Sequence, residues 1–132
     1  MFIESMHSLP FAIDDIYGGL AQVRGLLSLE SDYLLLEYQV RDGLVGMVKS
    51  RVRELKVPLA ELEMVTLDKR WLTLGLMLKS YRMHTLQDLP TSEAGRVILK
   101  LTRRDEVIAN QLIHHLKLKI SEARFERVNT PR

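Results

Sequence analysis

The chain contains no cysteine, so disulfides, thiol nucleophiles and thiolate metal sites are all excluded, and a reducing compartment is the natural expectation. No run approaches the roughly 20 apolar residues needed to span a bilayer. The amino terminus, MFIESMHSLPFAIDD, lacks both a basic leader and a continuous apolar stretch, so a secretory signal is not expected. Aromatic residues make up 6% of the chain, with a single Trp. That leaves no aromatic ladder for stacking nucleic-acid bases. The charges nearly cancel, with 19 Lys and Arg against 17 Asp and Glu. A net charge of +2 is too small to suggest nucleic-acid binding from bulk electrostatics. The G-x-S-x-G, P-loop and G-x-G-x-x-G motifs are missing as well.

What remains is an ordinary globular composition of 46% hydrophobic and 27% charged residues in 132 positions, enough for one domain with a single core. Residues 1–22 mix Pro10, Asp14, Asp15 and Gly18-Gly19 with apolar Phe11, Ile13, Ile16 and Tyr17. This mixture predicts an arm laid against the domain, with a helical turn near Asp14 to Tyr17. Val23 to Leu29 and Tyr33 to Val40 alternate apolar and polar residues around Ser31-Asp32, the pattern of a hairpin. Strand character returns at Val52 to Val57 and ends at Pro58, which has no N–H for a ladder. It resumes over Glu63 to Lys69 and Trp71 to Tyr81, with Leu72, Leu74, Leu76 and Leu78 on one face, and a shorter piece follows near Met83 to Leu89. The last strand points Val97, Leu99 and Leu101 inward.

Beyond Thr102 the period changes to about 3.6 residues, gathering Ile108, Ala109, Leu112, Ile113, Leu116 and Ile120 on one face of a helix from Arg103 to Ser121. Thr102 and Asp105 resemble a capping box, and residues 122–132 read as a polar, fraying tail. The sum is a mainly β chain with about seven strands and one C-terminal amphipathic helix.

Seven short strands followed by a helix is the element order of the pleckstrin-homology-like (PH-like) superfold. The stretch VRELKVPLAELEMVTLDKRWLTLGLML resembles strands three to five of its bacterial members. The resemblance covers about Val23 to Ser121. It implies two near-orthogonal antiparallel sheets forming a barrel that the helix caps, spanning residues 23–121. It does not fix function, because this fold presents lipid, peptide and self-association surfaces alike. Phosphoinositide-binding members carry Lys and Arg in the first hairpin, whereas the turn here is the acidic Leu29-Glu30-Ser31-Asp32-Tyr33. No phosphoinositide site of the usual type is expected.

Candidate chemistry is sparse. His114 and His115 are adjacent and point about 100° apart on a helix, which suits solvation better than shared metal ligation. Glu61 and Glu63 could mimic a catalytic carboxylate pair, but nothing supplies a nucleophile beside them. Lys49, Arg51, Arg53 and Lys56 form the densest basic run, which reads as a charged sheet edge that blocks unwanted strand pairing. Trp71 projects opposite its neighbouring leucines and is expected to pack beneath the amino-terminal arm, the alternative being to anchor a contact. Val107 and Leu118 share the polar helix face with His114 and could form a small contact strip. The feature that stands out is the Arg41 to Ser50 segment, where Leu44, Val45, Met47 and Val48 cluster in a loop between cations.

These readings predict a non-enzymatic, cytoplasmic interaction module with no cofactor. Leu44, Val45, Met47 and Val48, with Lys49, Arg51 and Arg53, would contact a protein partner or a second copy. The alternative is peripheral membrane binding through the same loop and its basic edge. A small-molecule carrier or enzyme would need a pocket that strand patterning does not reveal.

Overall fold

The computed structural model describes residues 8–42 and 51–129. The described residues form seven strands: β1 (Ser8–Ile16), β2 (Ala21–Leu29), β3 (Tyr33–Asp42), β4 (Arg53–Pro58), β5 (Leu62–Lys69), β6 (Thr73–Ser80) and β7 (Arg96–Thr102). One helix, α1, runs from Glu106 to Asn129. The strands are hydrogen-bonded into one antiparallel sheet in the order β4-β3-β2-β1-β7-β6-β5. The expectation of a mainly β chain is met by a single open sheet with β4 and β5 at its edges.

The strand count matches the expectation, but its membership does not. The segment read as an arm supplies β1, which lies at the centre of the sheet with β2 on one side and β7 on the other. β1 pairs with β2 from Ser8↔Ser28 to Ile13↔Val23, and its register shifts before Ile16↔Ala21. On its other side the ladder records one pair, Ala12↔Lys100, beside an ion pair between Asp14 and Lys100. The helical turn expected near Asp14 falls at Tyr17–Gly19, where Gly18 and Gly19 adopt the positive φ that glycine tolerates.

Conversely, Met83 to Leu89 is not a strand. Successive i to i+3 bonds, Thr85 N–H to Arg82 O, Gln87 N–H to His84 O and Leu89 N–H to Leu86 O, coil it into turns. Their period of three drives Leu86 and Leu89 into the core. The hydroxyl of Tyr38 on β3 holds this segment by donating to the Asp88 carbonyl at 3.3 Å.

The core is largely leucine. Leu27, Leu34, Leu36, Leu62, Leu74, Leu76, Leu78, Leu99 and Leu101 are buried from the strands, and Ala109, Leu112, Ile113, Leu116 and Ile120 close over them from α1. Each buried leucine contributes about 1.5–3 kcal/mol relative to exposure. Packing around β1 is tight: a Cβ on Gly25 would lie 2.5 Å from the Glu37 carbonyl oxygen and 2.6 Å from Phe11 Cζ.

The helix also departs from expectation at both ends. Arg103–Asp105 forms a 3-10 turn before α1, and Thr102 Oγ1 donates to the Asp105 carboxylate at 2.8 Å, with no side-chain bond to a backbone N–H. Ile108, expected on the apolar face, is exposed at the margin of that face. The tail expected to fray continues α1 to Asn129. Arg124 helps fix this extension by donating to the Glu63 carbonyl on β5 and lying 5.8 Å from the centre of the Tyr81 ring.

Candidate functional site

Of the predicted interaction residues, Leu44, Val45, Met47, Val48 and Lys49 lie outside the described residues. Arg51 and Arg53 are described, and both are exposed. They sit at the end of the sheet where β3 finishes and β4 begins, and the pairing Ala21↔Asp42 brings the β1–β2 connection to the same end. Leu20 and Val52 are exposed there, and Leu26 is partly so on the adjoining face of β2. Arg24 is exposed on β2, and Arg41 Nε is buried without a hydrogen-bond partner among the described residues.

Two cations of the basic run have contacts of their own. Arg53 hydrogen-bonds the Tyr38 hydroxyl, and Lys56 lies 5.3 Å from the centre of the Tyr33 ring. Burial raises the Tyr38 pKa, the nearby Arg53 opposes that shift, and Asp88 adds to it. Glu54 pairs in register with Glu37, so this edge carries acids among its cations.

The two candidate carboxylates point to separate duties. Glu61 Oε1 accepts from Thr85 Oγ1 at 2.6 Å, whereas Glu63 meets Lys79 at 3.4 Å. His114 and His115 are both exposed, with ring centroids 6.0 Å apart at a steep angle. Among the described residues no cluster of three or more His, Asp or Glu could hold a metal ion. A surface groove runs between the β2–β3 turn and α1, lined by Asp32, Leu59, Lys119 and Glu122 among others. Lys119 partly bridges it by donating to the Ser31 carbonyl at 3.2 Å.

A further exposed apolar feature is the β5–β6 hairpin. β5 and β6 pair as far as Lys69↔Leu74, and Arg70 N–H donates to Thr73 O at 2.9 Å, so Trp71 and Leu72 alone form the hairpin tip. Trp71 is 90% exposed and Leu72 77%, which corrects both expectations for them: neither packs under an arm nor joins the inward leucines. The signal was present in the lengths of the two runs. A hairpin joining Glu63–Lys69 to Leu74–Leu78 has only these residues from which to make its turn.

Taken as a class, this is a mainly β chain with one long C-terminal helix, and its exposed apolar groups include Leu20 and Val52 at one end of the sheet and Trp71 and Leu72 at the β5–β6 tip. No family model, curated protein or solved structure matches it. No helix among the described residues is long and apolar enough to cross a membrane.

Proposed function

We propose that the chain is a non-enzymatic PH-like interaction module whose loop end, around residues 41–53, associates with protein, including a second copy of itself. The fold part of this reading draws support from the strand order. If β1–β4 and β5–β7 are two sheets folded against each other around the leucine core, β1 is the shared strand and Ala12↔Lys100 the joint. The helix laid over that core would then be its cap.

The observation that carries the functional part is the exposure of Leu20 and Val52, 62% and 60%, at the end of the sheet where β3 finishes and β4 begins. Apolar residues grouped on an exposed rim favour association, because each removes surface from water on contact. The non-enzymatic reading is supported by Glu61 and Glu63, which are engaged with different partners.

Light scattering over a concentration series tests the proposal. The wild type is expected to rise above the 15.3 kDa of one chain, and a Leu20→Asp, Val52→Asp variant and a Leu44→Asp, Met47→Asp variant to stay near it. A wild type that remains at one chain's mass throughout, with the same cross-linked partners as both variants, overturns it.

A further inference from the structure

The β5–β6 tip presents two large apolar side chains where a two-residue hairpin loop usually carries Asn, Asp or Gly. Neither Trp71 nor Leu72 has a positive φ, so neither is there to meet a backbone demand that only those turn residues satisfy. The tip is nevertheless braced. Arg103, in the turn before α1, donates through Nη1 to the carbonyls of Arg70 at 2.7 Å and Trp71 at 3.0 Å. Its Nε also lies 3.6 Å from Glu106, which Lys69 meets at 2.6 Å. A backbone held this way projects its side chains outward with little ordering left to do on contact.

The charge around the tip is arranged in layers. Lys69 and Arg103 converge on Glu106, and Arg70 reaches Asp68 at 3.4 Å while lying back over Gly75. Asp105 is engaged by Thr102, and Arg104 is exposed beside it. Four cations, Lys69, Arg70, Arg103 and Arg104, thus stand against three acids, Asp68, Asp105 and Glu106. The balance around the apolar pair is positive.

Size and shape decide what could cover such a tip. A stable dimer hides about 800 Å² on each partner, from some 20–30 residues, whereas two convex residues offer a fraction of that. Two identical convex tips also have no concavity in which to seat each other. A bilayer interface needs none: an indole sits at headgroup level with its ring toward the acyl chains and its N–H in the polar layer. Neighbouring cations then meet anionic lipid.

We infer that Trp71 and Leu72 form a membrane-docking tip that inserts into the interface of an anionic bilayer, with Lys69, Arg70, Arg103 and Arg104 at headgroup level. This surface is separate from the loop end around residues 41–53, so either assignment can fail without the other.

Because Trp71 is the only Trp in the chain, its fluorescence reports on this tip alone. With vesicles of equal parts phosphatidylcholine and phosphatidylglycerol at low salt, its emission should shift to the blue and be quenched by lipids carrying a nitroxide on the upper acyl chain. Added salt should weaken the effect. A Trp71→Ser, Leu72→Ser variant, with unchanged far-ultraviolet circular dichroism, should sediment with those vesicles at least about tenfold less well. Three results overturn the inference: wild-type emission that stays at the solvated wavelength with anionic vesicles, a blue shift produced by protein concentration alone, or vesicle binding that persists in the double variant. The last would place membrane contact on another surface.

Discussion

Replacing Gly25 by Ala probes the most crowded point of the sheet. The added Cβ would lie 2.5 Å from the Glu37 carbonyl oxygen and 2.6 and 2.7 Å from Cζ and Cε1 of Phe11. Two obstacles of different stiffness therefore meet it, a backbone oxygen of β3 and a buried aromatic ring. Overpacking of this kind costs about 3 kcal/mol, at the upper end of the usual range because the backbone cannot turn aside. With a urea dependence of about 2 kcal/mol per molar, the unfolding midpoint falls by about 1.5 M. Phe11→Leu removes the ring atoms that Cβ would strike and by itself costs about 1–2 kcal/mol. In the double variant the new methyl enters space vacated by the ring, so the loss should fall short of the sum by about 1 kcal/mol. The Glu37 contact remains, so the rescue is partial. Urea titrations of the four proteins provide the cycle. A loss below about 0.5 kcal/mol for Gly25→Ala, or additivity within about 0.3 kcal/mol, would refute the packing argument.

Tyr38 ties β3 to the 81–95 connection, and Tyr38→Phe should cost about 1 kcal/mol at neutral pH. Its folded pKa is raised, chiefly by burial, so its stabilising contribution is complete below its unfolded value near 10 and lost as pH rises through the folded value. The gap between wild type and variant should therefore narrow at alkaline pH, as urea midpoints alongside tyrosinate absorbance will show. The Glu106 carboxyl is held below the usual range, first by its hydrogen bond from Lys69 and further by the Lys69 and Arg103 charges. A depressed pKa confers stability above the unfolded value that is lost on acidification through the folded one. Lys69→Gln should move the Glu106 titration toward higher pH in a carbon-detected NMR series, and an unmoved titration would dismiss the pairing. Ala94 has φ of 55°, where a Cβ is strained. Ala94→Gly should stabilise by up to about 1 kcal/mol, the relieved strain less glycine's greater unfolded entropy, in thermal denaturation.

The hairpin of β2 and β3, the inward leucines of β6 and β7 and the buried stripe of α1 could all be read from periodicity, because each buries one face and leaves the other wet. β1 could not, because Pro10 and the Asp14-Asp15 pair punctuate it. Pro10 is accommodated because the ladder to β7 is recorded only at Ala12, while Pro10 itself pairs with Leu26. The false strand at Met83 to Leu89 arose from counting apolar residues without weighing their spacing of three. Trp71 and Leu72 were misplaced because a leucine alternation that begins two residues early looks continuous with the strand beyond it. Of the candidate site, the sequence displayed the apolar cluster at 44–48, but not Leu20, since only the register of β2 on β3 brings that residue to the end of β3.

The central position of β1 sets a timetable for synthesis. Asp14 and its partner Lys100 are 86 residues apart in sequence, so the first strand made can pair with β2 early but must wait for β7. At the usual 5–20 residues per second the delay is roughly 4–17 s. Throughout that interval the β7-facing edge of β1 is an unpaired template, and the leucines meant for α1 are open to water. Any chain stopped before Arg96 keeps that edge permanently. Truncation products should therefore aggregate rather than persist as smaller folded pieces, and the nascent protein is most exposed to self-recognition just before its last strand and helix arrive.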